Sequence, residues 1–297
     1  MRRFIWLLVV PTIIWAQYKR HGSTAEQFLR IGIDARALGM GEAVVAAVED
    51  VSAVFYNPGA LGRLESKWIV LTHTNWVAPG IYYDFGAIAL PYARVGTFTL
   101  FFGSLYTDAM KVRDPLHPYG TGEEFYVGKY VAGIGYSRKL TDRASMGVNL
   151  KLVNSYLMDY SVTTWAVDVG TYFLTGWHDV VLGVTIQNFG GQVTYITEQY
   201  PIPTMYNIGV AMPFWQNKGL LGVSLVKPPD GPEKLHTGVE IKVHPMLTIR
   251  MGYKLFYDSE DYSAGLGFHI GKLSLDYAYS HFKYLNPEHR VTVKLNW

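Results

Sequence analysis

Fourteen stretches of this chain alternate apolar and polar residues with a period of two, and most run for about nine to twelve residues. They fall at 68–77, 81–90, 93–104, 130–140, 144–156, 163–174, 178–188, 205–213, 219–227, 235–243, 247–256, 262–270, 273–281 and 289–297. Strands of soluble proteins are usually about five or six residues long, whereas about nine to eleven cross a bilayer at a tilt. In the last stretch Val291, Val293, Leu295 and Trp297 alternate with Arg290, Thr292, Lys294 and Asn296. In 262–270, Tyr262, Ala264, Leu266, Phe268 and Ile270 alternate with Ser263, Gly265, Gly267 and His269. One face is apolar, and the other is small or charged. The pattern predicts an all-β chain, a 14-stranded antiparallel transmembrane β-barrel over 65–297.

The connections give a second signal. Gaps after even-numbered stretches are short, as at Pro91-Tyr92, Thr141–Arg143 and Gly271-Lys272. The two longest gaps, 105–129 and 189–204, follow odd-numbered ones. Short turns on one side and long loops on the other are the arrangement of outer-membrane barrels, and an even count returns the C-terminus to the side of the turns. Aromatics cluster at both ends. Tyr82, Tyr83, Tyr156, Tyr160, Phe256, Tyr257, Tyr262, Phe282 and Tyr284 lie near the long loops, and Tyr92, Phe173, Trp177, Phe214, Trp215 and Trp297 near the short turns. Two interfacial belts fit them. Trp297 also closes an apolar strand, which resembles the terminal signal read by the outer-membrane barrel assembly machinery.

Charged residues make up 17% of the chain, below the usual quarter or so of soluble domains. No run of about 18 uninterrupted apolar residues is present, which argues against a helical membrane protein. Arg2 and Arg3 followed by apolar Phe4–Trp15 and Ala16-Gln17 read as a signal peptide over 1–17. Its removal turns 26 basic residues into 24 against 24 acidic ones, so no basic face argues for nucleic acid. There is no cysteine, hence no disulfide framework.

Residues 18–64 stand apart. Phe28–Leu64 is rich in small residues, with Gly39 and Gly41 interrupting any long helix, Asp50 or Ser52 placed to cap a short helix over 52–56, and Asn57-Pro58 turning the chain. The stretch reads as a plug for the barrel, lying toward the periplasmic side. Arg36-Ala37-Leu38-Gly39-Met40-Gly41-Glu42-Ala43 and Asp50-Val51-Ser52-Ala53-Val54-Phe55-Tyr56-Asn57-Pro58-Gly59-Ala60-Leu61 resemble the N-terminal signature of the PorV/PorQ family, outer-membrane barrels associated with type IX secretion. More distantly they resemble FadL-type transporters of long-chain fatty acids and other hydrophobic compounds. Both resemblances imply a fourteen-stranded barrel with an N-terminal plug in the cell outer membrane of a Gram-negative-type bacterium. The usual ending Asn-Pro-Ala-Gly-Leu appears here as Asn57-Pro58-Gly59-Ala60-Leu61, with the small pair swapped.

Inward-facing charges at Lys151, Asp168, Glu240, Lys242, Arg250, Lys254, Asp276, Arg290 and Lys294 predict ion pairs in the lumen, placed to dock the plug. His73, His236, His244 and His269 read as lumen or turn residues, and Asp258–Asp261 as a solvated loop rather than a calcium site. No nucleophile elbow, His-Glu-x-x-His or P-loop is present, so no enzyme, cofactor or metal is expected. The long loops, with Asp114, His117, Glu123, Glu124, Tyr195 and Tyr200, are the places for partner contact. The PorV/PorQ resemblance implies a non-enzymatic component of protein secretion or surface attachment that binds secreted cargo and secretion-system proteins at the outer rim, in contact with outer-membrane lipid. The FadL resemblance implies a channel for hydrophobic small molecules. A channel needs a greasy inner pocket and a lateral exit. The inward faces of the strands read as mainly small or charged, which favours the first.

Overall fold

The computed structural model describes residues 22–158, 160–195 and 197–297. The predicted signal peptide, and residues 18–21 of the segment after it, lie outside them. The strands are β1 (Trp68–Asn75), β2 (Ile81–Tyr92), β3 (Gly96–Thr107), β4 (Met110–Lys111), β5 (Glu124–Phe125), β6 (Val127–Lys139), β7 (Ala144–Leu157), β8 (Tyr160–Leu174), β9 (Val181–Gly190), β10 (Gln192–Tyr195), β11 (Glu198–Pro201), β12 (Met205–Phe214), β13 (Gly219–Lys227), β14 (Lys234–His244), β15 (Leu247–Leu255), β16 (Glu260–Ile270), β17 (Leu273–Phe282) and β18 (Glu288–Asn296). Fourteen of them close an antiparallel barrel in the order β1-β18-β17-β16-β15-β14-β13-β12-β9-β8-β7-β6-β3-β2, where β2 returns to β1. Beyond β18, the Lys67 and Trp297 backbones exchange two hydrogen bonds at 3.1 and 3.0 Å, continuing the β1–β18 ladder. Closure leaves no edge strand, the condition for β-structure to sit in a membrane.

Each predicted stretch forms a wall strand, with ends moved by a few residues. β2 runs through Pro91 and Tyr92, which pair with Thr97 and Gly96, and the turn falls at 93–95 with Arg94 in the left-handed region. Turns at 93–95, 140–143, 175–180, 215–218, 245–246 and 271–272 gather at one end, and the longer loops at the other. Two of those loops carry small hairpins that the alternation did not reveal, β4-β5 and β10-β11. Both hairpins are too short to show a period.

Burial alternates along the strands. The outward rows expose large apolar side chains such as Leu100 (56%), Leu152 (58%) and Met251 (68%). Soluble monomers rarely show so continuous an apolar surface. The β8–β9 ladder breaks between Val167 and Val169, where Asn188 takes a positive φ of 55° and bulges β9. β3 pairs with β2 and β6 in unbroken register.

Candidate functional site

Residues 24–64 pack against the inward side of the wall, and nearly all of Phe28–Leu61 is buried. The path corrects the expectation that this segment sits toward the short-turn side. It begins at the long-loop end, where Ala25 N–H donates to Pro201 O at 2.9 Å and Arg30 pairs with Asp230 at 3.2 Å. It ends at the short-turn end, where Arg63 donates to the Asp142 carbonyl at 3.2 Å. In between lie α1 (Ala35–Gly39), α2 (Ala53–Tyr56) and a 3-10 turn (Pro58–Arg63).

Between these elements the segment runs along a belt of inward glycines on consecutive strands: Gly265, Gly252, Gly238, Gly222, Gly209, Gly183, Gly170 and Gly147. Several are direct cross-strand partners, as Gly222 with Gly238 and Gly238 with Gly252. A methyl carbon at Gly209 would lie 2.7 Å from Val45 Cβ, and one at Gly183 would lie 2.5 Å from Val45 O. The absence of side chains on this belt is what lets the two backbones touch. The same reason accounts for the swapped Gly59-Ala60, since a methyl at Gly59 would lie 2.7 Å from Gly170 O. Asn57 uses its whole amide. Nδ2 donates to Val45 O (2.8 Å) and Thr171 O (2.9 Å), and Oδ1 accepts from Gly59 N–H (3.0 Å). Pro58 O accepts from Ser137 Oγ at 2.6 Å. Asp50 Oδ1 accepts from Ser52 N–H at 2.8 Å, whereas the Ser52 side chain makes no capping bond.

The segment is also tied by charge. Arg36 Nε and Nη2 grip Glu240 at 2.8 and 3.1 Å, and Arg250 bridges Glu240 and Asp276 at 2.6 Å each. Lys294 pairs with Asp34 (2.7 Å) and Asp50 (2.6 Å), while Lys254 pairs with Glu42 (3.0 Å) and Glu260 (2.5 Å). Arg290 pairs with Glu288 and donates to the Asp34 carbonyl at 3.2 Å. Burial opposes ionisation of Glu42, but Lys254 and Arg290 outweigh it and hold the carboxyl down to about 2. Buried charges persist when each has its partner and hydrogen bonds, and Asp34, Arg36, Glu42 and Asp50 of the segment supply partners that the charges of β14–β18 lack.

A second node lies at the β9 bulge. Lys151 Nζ meets Asp168 at 2.7 Å and Asn188 Oδ1 at 2.8 Å, and Asp168 accepts from Asn188 N–H at 2.8 Å. Asn149 reaches from here to Val54 O at 2.6 Å. The bulge therefore presents Asn188 where a regular strand would not.

The rest of the lumen is greasier than the strand faces suggested. Inward-facing Tyr83, Phe85, Phe101, Leu105, Val131 and Val153 on β2, β3, β6 and β7 form one core with Phe28, Val54 and Tyr56. Opposite them, toward the long loops, a chamber of about 400 Å³ opens beside the segment. Leu29, Ile31, Phe55 and Tyr56 line it from the segment, and Trp76, Met205, Val226, Tyr257, Phe282 and Leu285 from the wall and loops. The chamber leaves no local pattern in the sequence, because residues distant along the chain build it. A larger hollow of about 740 Å³ lies on the outward wall around Gly86 and Ala132, lined by exposed Leu71, Leu100 and Phe102, and does not belong to the lumen.

Several predicted residues stand elsewhere. Lys242 is exposed at the short-turn end of β14, outside the ion-pair network, because the inward face has there run past the segment. His73 faces outward, with Nδ1 2.6 Å from Asp84, rather than into the lumen. Tyr83 and Tyr257 belong to the inner face and not to a belt, since parity turns Tyr83 inward and the loop after β15 folds Tyr257 over the chamber. Tyr195 donates to Glu26 at 2.7 Å, and Lys129 pairs with the same carboxylate at 3.0 Å. Tyr200 lies on β11, Glu124 on β5, and Asp114 caps the Leu116 and His117 N–H groups in the loop before Glu123. No group of three or more metal-binding side chains occurs among the described residues.

No protein-family model matches the sequence, and a search of curated proteins finds no match. Solved structures do resemble the fold. The Pseudomonas putida toluene transporter TodX superposes with a TM-score of 0.63 at 11% identity, over 90% of this chain and 99% of that one. A Pseudomonas aeruginosa FadL homologue gives 0.60 at 12% identity, over 89% and 98%. The monoaromatic hydrocarbon channel CymD gives 0.60 at 11%, over 89% and 96%. The fold is thus that of these FadL-type barrels, of which TodX is described as a transporter and CymD as a channel.

Proposed function

We propose that this chain is an outer-membrane channel for hydrophobic small molecules, in which residues 24–64 plug the lumen. The chamber carries this reading. A cavity of about 400 Å³, in which Phe55, Trp76, Tyr257 and Phe282 stand among paired charges such as Lys254 and Glu42, supplies the part-apolar pocket that a scaffold does not need. The apolar outward rows support a membrane location, and the FadL-type fold supports the outer membrane. The segment, tied by the glycine belt and ion pairs, blocks straight passage, so a solute has to leave through the wall or past a shifted segment. The register break at β8–β9 is one weak point in the wall.

A second reading keeps the PorV/PorQ resemblance. Its support is the β4-β5 loop, which presents Leu116 (85% exposed) and Tyr119 (91%) at the rim on a turn fixed by Asp114. In that reading the rim grips a secretion partner or cargo protein. Purification in mild detergent followed by native mass spectrometry separates the two. A bound small hydrophobic molecule without a stoichiometric protein partner supports the channel. A stoichiometric partner that is lost on Leu116→Ser and Tyr119→Ser, with no small molecule retained, overturns it.

A further inference from the structure

The cations in the lining of the chamber are each paired with a carboxylate, and this bears on what enters it. Its lining carries the cations Arg30, Lys254 and Arg290. Arg30 is engaged by Asp230 at 3.2 Å, Lys254 by Glu42 and Glu260 at 3.0 and 2.5 Å, and Arg290 by Glu288. Lys234, at the margin, lies with Nζ 3.8 Å from the centre of the Tyr257 ring. An entering carboxylate would be desolvated beside Glu42, Glu260 and Glu288 and would have to displace one of them from its cation. Taking a charge out of water without a free partner is strongly unfavourable in general. An uncharged molecule meets no such barrier.

The chamber also has a polar side. His236 Nε2 and Tyr257 Oη are 2.8 Å apart, and Asn207 Nδ2 donates to Gln187 at 2.9 Å. Ser259 Oγ is buried without a hydrogen-bond partner among the described residues. A buried hydroxyl left unpaired is an opening for a ligand group that can bond it. The cavity is near the lower end of the roughly 300–1,000 Å³ range of ligand pockets, which suits a compact molecule rather than a long extended chain.

We infer that the cargo is a compact, uncharged aromatic or alicyclic compound with one hydrogen-bonding group, of the phenol or alcohol class, and not a carboxylate. This rests on the channel reading above. Isothermal titration calorimetry of the full barrel in detergent at neutral pH tests it with para-propylphenol, para-propylbenzoate and palmitate. The expected result is phenol affinity about tenfold or more above that of the benzoate, whose buried charge lacks a partner. Glu260→Gln releases part of Lys254, and the preference should then narrow to about threefold or less as the benzoate gains. The wild-type ratio decides the matter alone if that variant does not give a heat-modifiable barrel. Equal or tighter binding of propylbenzoate, or of palmitate, overturns the inference and leaves the channel reading standing. Binding of none of the three overturns both.

Discussion

Gly238→Ala is the substitution that most directly loads the contact between segment and wall. Alanine should otherwise suit a strand better than glycine by about 0.5–1 kcal/mol, through the entropy of the unfolded chain. At Gly238, however, the added methyl would lie 2.8 Å from the Met40 carbonyl carbon and 2.9 Å from its Cα. Carbon atoms pack best at about 3.5–4.0 Å, so the two backbones have to part by about 1 Å. Met40 cannot yield alone, because Gly41 N–H is held by Leu38 O at 2.9 Å and by Ser263 Oγ at 3.1 Å. Overpacking of this kind costs about 1–3 kcal/mol. Gly86→Ala is the matched control. Gly86 faces outward, and its nearest neighbour is the flexible Leu71 Cδ2 at 3.2 Å, so the change should be neutral or slightly stabilising. Urea unfolding of the refolded barrel, followed by tryptophan fluorescence, gives the stability difference, and limited proteolysis of 28–64 reports whether the segment has lifted. Gly238→Ala as stable and as protease-resistant as the parent would refute the glycine-belt argument.

Other perturbations follow from the buried charges. Lys151→Met leaves Asp168 buried with hydrogen bonds but no cation, and should lower the urea stability by about 3–5 kcal/mol. The paired replacement Lys151→Met with Asp168→Leu should cost distinctly less, and equal losses would show that the pair is not the reason. Acid tests Glu42. Its folded pKa is depressed from 4.5 to about 2, so the stability it provides is full above about 4.5 and is lost as pH falls toward 2. Pepsin cleavage within 28–64 should therefore rise across that window and stay low above it. Glu42→Gln should flatten the rise.

The wall was legible in the chain because a half-buried strand writes its two faces at alternate positions, and crossing strands are long enough to repeat the signal several times. The inward charges on β14–β18 were legible for the same reason. Which of them meet was not. Glu240 turns to Arg36 and Lys294 to Asp34 and Asp50, across more than two hundred residues of sequence. The glycine belt was in plain view, one inward glycine on each of eight wall strands, but alternation records such residues only as small. Their common level in the barrel is a property of register. Proximity to a loop also misplaced aromatics, since Tyr83 and Tyr257 sit near the long loops and yet point inward. The chamber has no local signature at all, because Leu29, Phe55, Trp76, Met205, Tyr257 and Leu285 come from six separate elements and loops.

The role proposed for the chamber is tested most directly by solute uptake. Liposomes carrying the purified barrel should take up a small fluorescent hydrophobic compound faster than liposomes without it. Leu285→Trp, which adds bulk at the exposed side of the chamber, should abolish most of that gain while leaving the heat-modifiable gel shift intact. Uptake that is no faster than in empty liposomes, or that is unchanged by Leu285→Trp in a folded barrel, would contradict a channel that works through this chamber.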